Sequence, residues 1–399
     1  MSWSNGVIVL LLTAGFAKLS TMIVNWLLAI PQPKYLIGAT EIVQISLIVV
    51  YFTVMLNRAW GHGSGQFTMD AHFVMTAVGA IGFLLLCKST IAWHRYRPPA
   101  CQISNESTVI DFRTDDGVWK TTLVGPRPMR RIALLPGNEQ FTIEVSTRSF
   151  VMPKLPKEWD GLSIVHLADS HFRGAAACAW FEAVCARAAA LKPDLYIFTG
   201  DLLDDPTLLN WFQTTFGQLK APYGQYFILG NHDWYLDAPA VRKEFERHGW
   251  IDLSGRFMDL ALPTSGAPPI VLAGDESPWM GKHPDMTGVP DGRFRILLSH
   301  TPDNITWARE HCFDLMLAGH THGGQICLPV LGPVYSPSRF GCRFASGAFW
   351  RVPTLLYVSR GLSGREPIRY NCRPELTKFV LRNQYSIDHA AESGRSERS

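Results

Sequence analysis

The sequence predicts an α/β domain on mainly parallel strands, preceded by an α-helical transmembrane region. Three observations carry this. Long apolar runs are confined to the first hundred residues, strand-like and helix-like segments alternate from Gln140 onward, and Asp, Asn or His recurs where a strand ends.

At 399 residues the chain is long enough for one large domain plus further segments. A formal net charge of +3 without any Lys/Arg run lacks the basic footprint of nucleic-acid binding, so no nucleic acid is expected as a partner. The eight cysteines form no CxxC pair and no short-spaced framework, so free thiols are expected.

Gly6 to Ile30 is apolar apart from Lys18 and Asn25 and is closed by Pro31 and Pro33. Leu36 to Leu56 carries only Glu41 and Gln44 as strongly polar groups, and Ala71 to Trp93 has Lys88 near its end. Each can cross a hydrocarbon core as a helix, which takes about 20 residues. The first run is too long for a cleaved signal peptide and lacks a basic start. Three spans put Lys34 and the Arg95, Arg97 pair on one side and Arg58 on the other, which places the following domain in the cytosol. The expected layout is a transmembrane region at 1–93, a juxtamembrane connector at 94–138, a catalytic domain at 139–383 and a disordered tail at 384–399.

Within the catalytic domain, Phe141 to Val145 alternates like an edge strand, and Leu162 to Ala168 reads as a buried one. A helix is expected over Ala175 to Leu191, ended by Pro193, then a strand over Leu195 to Thr199. A helix over Thr207 to Leu219 and a strand over Gln225 to Leu229 follow. Helix Pro239 to His248 leads to strands at Ile270 to Ala273 and Arg293 to Ser299. A short helix over Asn304 to His311 precedes the strand Phe313 to Ala318.

Reactive residues in open α/β sheets gather at the carboxyl ends of strands. The first buried strand runs into Asp169, Ser170 and His171, and the next into Gly200, Asp201 and, shortly after, Asp204. The third gives Gly230, Asn231, His232 and Asp233. His300 follows Ser299, and Gly319, His320, Thr321, His322, Gly323 and Gly324 follow Ala318. Two histidines spaced i, i+2 on a strand would point opposite ways, but a glycine-bounded loop can aim both at one point. Each motif alone could be a cap or a turn. Five in chain order form one candidate edge. Carboxylates and imidazoles without thiolate suit Mn, Fe or Zn, with Mg also tolerated by part of the set.

In this order the motifs D-x-H, GD-x-x-D, GNHD, a lone His and GH-x-H resemble the calcineurin-like metallophosphoesterase family, over residues 140–382. The resemblance implies a four-layer α/β/β/α sandwich holding two divalent metal ions, with manganese the leading choice. It implies that Asp169, His171, Asp201 and His322 hold one ion. Asp201 would bridge to the second, completed by Asn231, His300 and His320. His232 would be the general acid facing the leaving group, oriented by Asp204 or Asp233. Ser170 stands where the family usually has Leu or Ile, at a position that is not a ligand. The chemistry needs this set because two cations about 3.5–4 Å apart neutralise phosphoryl oxygens and supply hydroxide at neutral pH.

The stretches Gly323 to Pro329, Ser336 to Gly341, Tyr357 to Leu362 and Pro367 to Glu375 resemble the membrane-anchored branch of that family. This branch includes phosphodiesterases and UDP-2,3-diacylglucosamine pyrophosphatases. The resemblance implies a lipid or other phosphorylated small-molecule substrate, a lipid bilayer as partner and a bacterial-type inner membrane as location. Arg339, Arg360, Arg369 and Arg373 are candidates for gripping a diphosphate, or structural ion pairs. Trp234, Tyr235, Trp279, Met280, Phe340 and Phe349 could meet acyl chains or belong to the core. Two other readings stay open: a general phosphodiesterase on nucleotide or glycerophospho-diesters, and a membrane sensor or scaffold with a structural metal site.

Overall fold

Runs without a polar face form helices here: α1 (Trp3–Leu28), α2 (Lys34–Ala59) and α3 (Met69–His94), each long and apolar enough to cross a membrane. In this computed structural model, residues 3–60, 69–114, 117–125, 130–262, 266–364 and 366–385 are described. The tail expected to be disordered, 384–399, lies outside them beyond Tyr385. The chain divides into two units, Met1–Arg97 with Cys327–Arg343, and Pro98–Ile326 with Phe344–Ser399.

In the first unit α1 and α3 pack through glycine. A Cβ on Gly15 would stand 1.9 Å from the carbonyl oxygen of Gly79, so only a hydrogen side chain permits the approach. Tyr51 of α2 stacks on Phe16 with ring centres 4.3 Å apart and donates its hydroxyl to Met75 O at 2.9 Å. A buried phenol in an apolar bundle needs that partner.

The strands of the chain are β1 (Gln102–Asp111), β2 (Thr142–Met152), β3 (Ser163–Leu167), β4 (Leu195–Thr199) and β5 (Gln225–Ile228). They continue as β6 (Trp250–Asp252), β7 (Phe257–Leu260), β8 (Ile270–Asp275), β9 (Arg295–Ser299) and β10 (Leu315–Ala318). The last are β11 (Cys327–Leu328) and β12 (Gly332–Pro333), both in the first unit, then β13 (Gly347–Arg351), β14 (Thr354–Val358) and β15 (Glu375–Asn383). Helices α4 (Trp119–Thr122) and α5 (Arg130–Ala133) are short. The larger α6 (Cys178–Ala190), the single turn α7 (Asn231–Trp234), α8 (Ala238–Arg247) and α9 (Ile305–Glu310) follow.

Two mixed sheets result, in the orders β1-β2-β15-β3-β4-β5-β6 and β13-β14-β10-β9-β8-β7. The runs β3 to β6 and β8-β9-β10-β14 are parallel. Ile164, Ile197 and Ile228 of the first sheet cluster with Leu272, Ile296, Leu298 and Leu317 of the second. The alternate residues Val165, Phe198 and Phe227 face outward against Trp180 and Phe181 of α6 and Phe245 of α8. Both faces are therefore covered, which is why these strands read as continuous apolar runs. With α9 packed along β14, the layers are α/β/β/α.

Two expectations are corrected. Phe141 to Val145 is not at an edge, because β1 from the supposed connector pairs outside β2, with Asp111 opposite Thr142. β1 is exposed along most of its length, so it carries no apolar period to read. The helix expected over Thr207 to Leu219 is two 3₁₀ segments, Pro206–Thr214 and Phe216–Gln218. The Thr215 hydroxyl turns back to Trp211 O at 2.7 Å, and the Asn, Trp, Phe and Thr residues there are weak helix formers.

His166 of β3 is buried, with Nε2 paired to Thr199 Oγ1 at 2.8 Å. Burial holds its imidazole down to about 4. The folded chain keeps His166 neutral while the unfolded chain takes up a proton below its ordinary value of about 6.5. Acidification therefore favours unfolding, starting below pH 6.5 and complete near pH 4, worth roughly 3 kcal/mol. Thermal unfolding of the purified chain at pH 7 and 4.5 checks this: His166→Gln is expected to lose a smaller part of its midpoint on acidification than the wild type.

Candidate metal centre

Because β3, β4 and β5 are parallel, their carboxyl ends share one edge of the first sheet, and β9 and β10 do the same in the second. Asp169, His171, Asp201, His320 and His322 all have left-handed backbones, with φ of 52°, 45°, 59°, 70° and 52°. Such a conformation costs a non-glycine residue on the order of 1 kcal/mol and persists where surroundings enforce it. The enforcing contacts are local: Asp169 N donates to Gly200 O at 3.0 Å and His171 N to Asp201 O at 3.1 Å. Two glycines are required by closeness rather than by φ. A Cβ on Gly230 would lie 2.2 Å from Asp201 Oδ1, and one on Gly319 would lie 2.6 Å from Asp169 Oδ2.

The structure brings all seven expected ligands together. Asp169, His171, Asp201 and His322 each place a ligand atom within 4.8 Å of the others, and so do Asp201, His300 and His320. Asn231 Oδ1 joins the second group at 2.9 Å from His300 Nε2, and His320 Nδ1 lies 3.1 Å from the same nitrogen. Asp201 belongs to both groups. Its Oδ1 accepts the N–H of His232 at 2.8 Å. Its Oδ2 is buried without a hydrogen bond among the described residues, 3.4 Å from His171 Nε2 and 3.4 Å from His300 Nε2. A buried acceptor left open between converging imidazoles fits a pair of divalent cations sharing one carboxylate.

Outer contacts aim the rings. His300 Nδ1 faces Thr199 O at 2.8 Å and His322 Nδ1 faces Ser363 O at 3.3 Å, which leaves each Nε2 to the centre. Burial disfavours the charged forms of His171 and His300, yet the facing carboxylates push both up to about 9. A divalent cation bound at these nitrogens would displace those protons.

The choice between Asp204 and Asp233 beside His232 is resolved by position. Asp204 Oδ1 is hydrogen-bonded to His232 Nδ1, and its Oδ2 lies 3.3 Å from His171 Nδ1. Burial works against its charge, but His232 and His171 hold its carboxyl well below the usual range. Asp233 instead accepts the backbone N–H groups of Asp201 and Gly230 at 2.9 Å and Leu202 at 3.0 Å, clamping two loops together. Burial pushes its carboxyl up to about 7. The His232 side chain keeps 19% of its surface exposed, whereas those of His171 and His300 have none. It sits on the open side.

Of the four arginines read as diphosphate grips or structural ion pairs, Arg360, Arg369 and Arg373 are engaged by protein groups. Arg369 is fully buried and donates Nη1 to His322 O at 2.9 Å and Nη2 to Ser363 O, the carbonyl that faces the His322 ring. Arg360 is taken up by Glu144 and Glu375, each at 2.9 Å, and Arg373 pairs with Glu139 at 2.9 Å. Arg339 is exposed and belongs to the first unit. Among the aromatic candidates, Trp279 is buried against the rings of His320 and His300, at 4.8 and 5.6 Å. Met280 joins the helix-side core and Phe349 packs on Phe344. Tyr235 stays half-buried beside His232, ring centres 6.3 Å apart, with Trp234 against it, and Phe340 lies in the first unit.

One supporting residue has no place in the motifs. Glu276 accepts Leu229 N at 2.6 Å and pairs with Arg242, fixing the strand end before Gly230. It directly follows β8, which runs to Asp275 rather than Ala273, so reading that strand to its true end would have exposed it.

Comparison with known proteins agrees with this geometry. The family model for calcineurin-like phosphoesterases matches residues 162–324. The metallophosphoesterase YkuE of Bacillus subtilis is 32% identical over 254 residues, covering 61% of this chain and 87% of that protein. Phosphodiesterase YaeI of Escherichia coli is 27% identical, with 55% and 81% covered. The UDP-2,3-diacylglucosamine pyrophosphatase LpxG of Chlamydia trachomatis is 26% identical, with 59% and 88% covered. The chain belongs to the calcineurin-like phosphoesterase family and is a metal-dependent hydrolase.

Removing the Arg369 clamp should loosen His322. Arg369→Met is expected to cost roughly 3 kcal/mol, since it leaves two buried carbonyls without a charged donor. It should also lower the divalent metal retained per chain by elemental analysis. Arg369→Lys should recover part of both, and an Arg369→Met chain with wild-type stability and metal content would contradict the clamp.

Proposed function

We propose that the chain is a membrane-anchored hydrolase of a phosphodiester or pyrophosphate bond, with UDP-2,3-diacylglucosamine as its leading substrate. The observation that carries the hydrolytic reading is the Asp201 carboxylate, buried and shared between two groups of converging ligands. In this reading Asp169, His171, Asp201 and His322 hold one cation, and Asp201, Asn231, His300 and His320 the other, manganese being the first choice. Two cations held there would neutralise phosphoryl oxygens and lower the pKa of a water nucleophile. His232, aimed by Asp204 through Nδ1, presents Nε2 to the departing oxygen and gives it a proton. Asp233 keeps Asp201 and the Gly230 loop in register while this happens.

Two features support the lipid sugar nucleotide. The three apolar helices would keep the chain at a bilayer, where a diacylated substrate resides. LpxG, similar over most of its own length, is named for that substrate. Lys34, Arg95 and Arg97 flank the spans on one side, which favours a cytosolic catalytic domain beneath an inner membrane.

The test uses the full chain in detergent with manganese. Release of UMP from UDP-2,3-diacylglucosamine is expected, abolished by a chelator and reduced about 10²–10⁴-fold by His232→Ala. Hydrolysis of bis(p-nitrophenyl) phosphate without UMP release would replace the leading substrate by a general phosphodiester. Bound metal with no turnover on either would favour a sensor or scaffold.

A further inference from the structure

A side-chain amide inside a membrane span is costly unless it is partnered. Asn25 of α1 is such a group. It is buried, and its Oδ1 accepts the backbone N–H of Ser336 at 3.2 Å. The donor belongs to Cys327–Arg343, which follows His322 by a few residues in sequence yet clusters with the three helices. The same segment is fixed to α3. Val330 O is bonded to His94 Nε2 at 2.7 Å, and a Cβ on Gly332 would stand 2.8 Å from the Trp93 indole.

Between these anchors β11 and β12 pair antiparallel, and the chain turns through Pro329, Val330 and Leu331. The turn has the wrong residues for water. Tight turns between strands favour Gly, Asn and Asp, yet here Leu328 is 41% and Val330 72% exposed. Val330 also holds φ at 67°, a conformation that β-branched residues avoid. The neighbours are those of a membrane–water boundary: Trp93 ends a span, and Arg95 and Arg97 follow it. Arg339 and Arg343, further along the segment, are exposed too.

We infer that the turn Leu328–Leu331 is a bilayer contact, seated in the interfacial layer beside the end of α3 by Asn25 and His94, with anionic lipid headgroups as its polar neighbours. The inference rests on the helices being membrane spans and is independent of the substrate. Apolar side chains there leave water for the acyl boundary, and the arginines meet lipid phosphates.

The experiment reads lipid contact directly, without substrate. Full-length chain carrying Val330→p-benzoylphenylalanine is placed in nanodiscs of phosphatidylcholine and phosphatidylglycerol, irradiated and digested, and lipid adducts are measured by mass spectrometry. The matched control puts the same group at Val352, an apolar turn residue that is 65% exposed in the second unit. Adducts are expected at 330 in several-fold excess over 352. Asn25→Leu, which keeps α1 apolar, should lower the yield at 330 several-fold while the chain remains in the membrane fraction. No lipid adduct at 330, equal yields at both positions, or a yield indifferent to Asn25→Leu would overturn the proposal and leave the hydrolytic reading untouched.

Discussion

The centre depends on one carboxylate kept out of water and left half satisfied. Asp201 commits Oδ1 to a backbone N–H and leaves Oδ2 facing an imidazole from each ligand group. Burial alone would neutralise such a group, but His300 and His232 hold it well below the usual carboxylate range. This charge balance requires ligands from both sheets, since His171 follows β3 and His300 follows β9. The inter-sheet core is what sets those two strand ends at a fixed separation. Its tight packing, with Ile197 and Leu298 both fully buried, resists the small shifts that would open the ligand set.

Local backbone cost accompanies that arrangement. Five of the candidate ligands sit in the left-handed region, where they would not stay in an isolated loop. Asp233 counters this by gathering N–H groups from two loops onto one buried carboxylate. Glu276 likewise accepts the N–H of Leu229, and Arg369 donates to carbonyls of the His322 and Ser363 loops. Each of these polar residues touches backbone next to a ligand instead of the ligand atoms themselves.

That division explains what could be read from the sequence. Strands β3, β4, β5, β8, β9 and β10 were legible because burial on both faces leaves runs of apolar residues, and the candidate ligands because they follow these strands; the short β6 and β7 are only partly buried and were not read. The acid beside His232 was left as a choice, since Asp233 adjoins it in the chain whereas Asp204 lies 28 residues earlier, and only folding decides which reaches Nδ1. The arginines were left as a choice for a related reason. A guanidinium that binds carbonyls inside the fold has the same composition signal as one that binds phosphate, and burial separates them. β1 was missed as a sheet edge because an exposed strand has no apolar period. The three long apolar helices were plain from uniform apolarity, whereas the bond between Asn25 and Ser336 joins residues far apart in the sequence and had no local signal.

The most direct measurement is the number and coupling of metal ions in the full chain after loading with manganese. Elemental analysis combined with electron paramagnetic resonance should find two ions per chain with an exchange-coupled spectrum, as two cations sharing the Asp201 carboxylate would give. Asp201→Ala should lose the coupled signal. A wild-type chain that binds a single isolated ion, or an Asp201→Ala chain that keeps the coupled pair, would contradict the account.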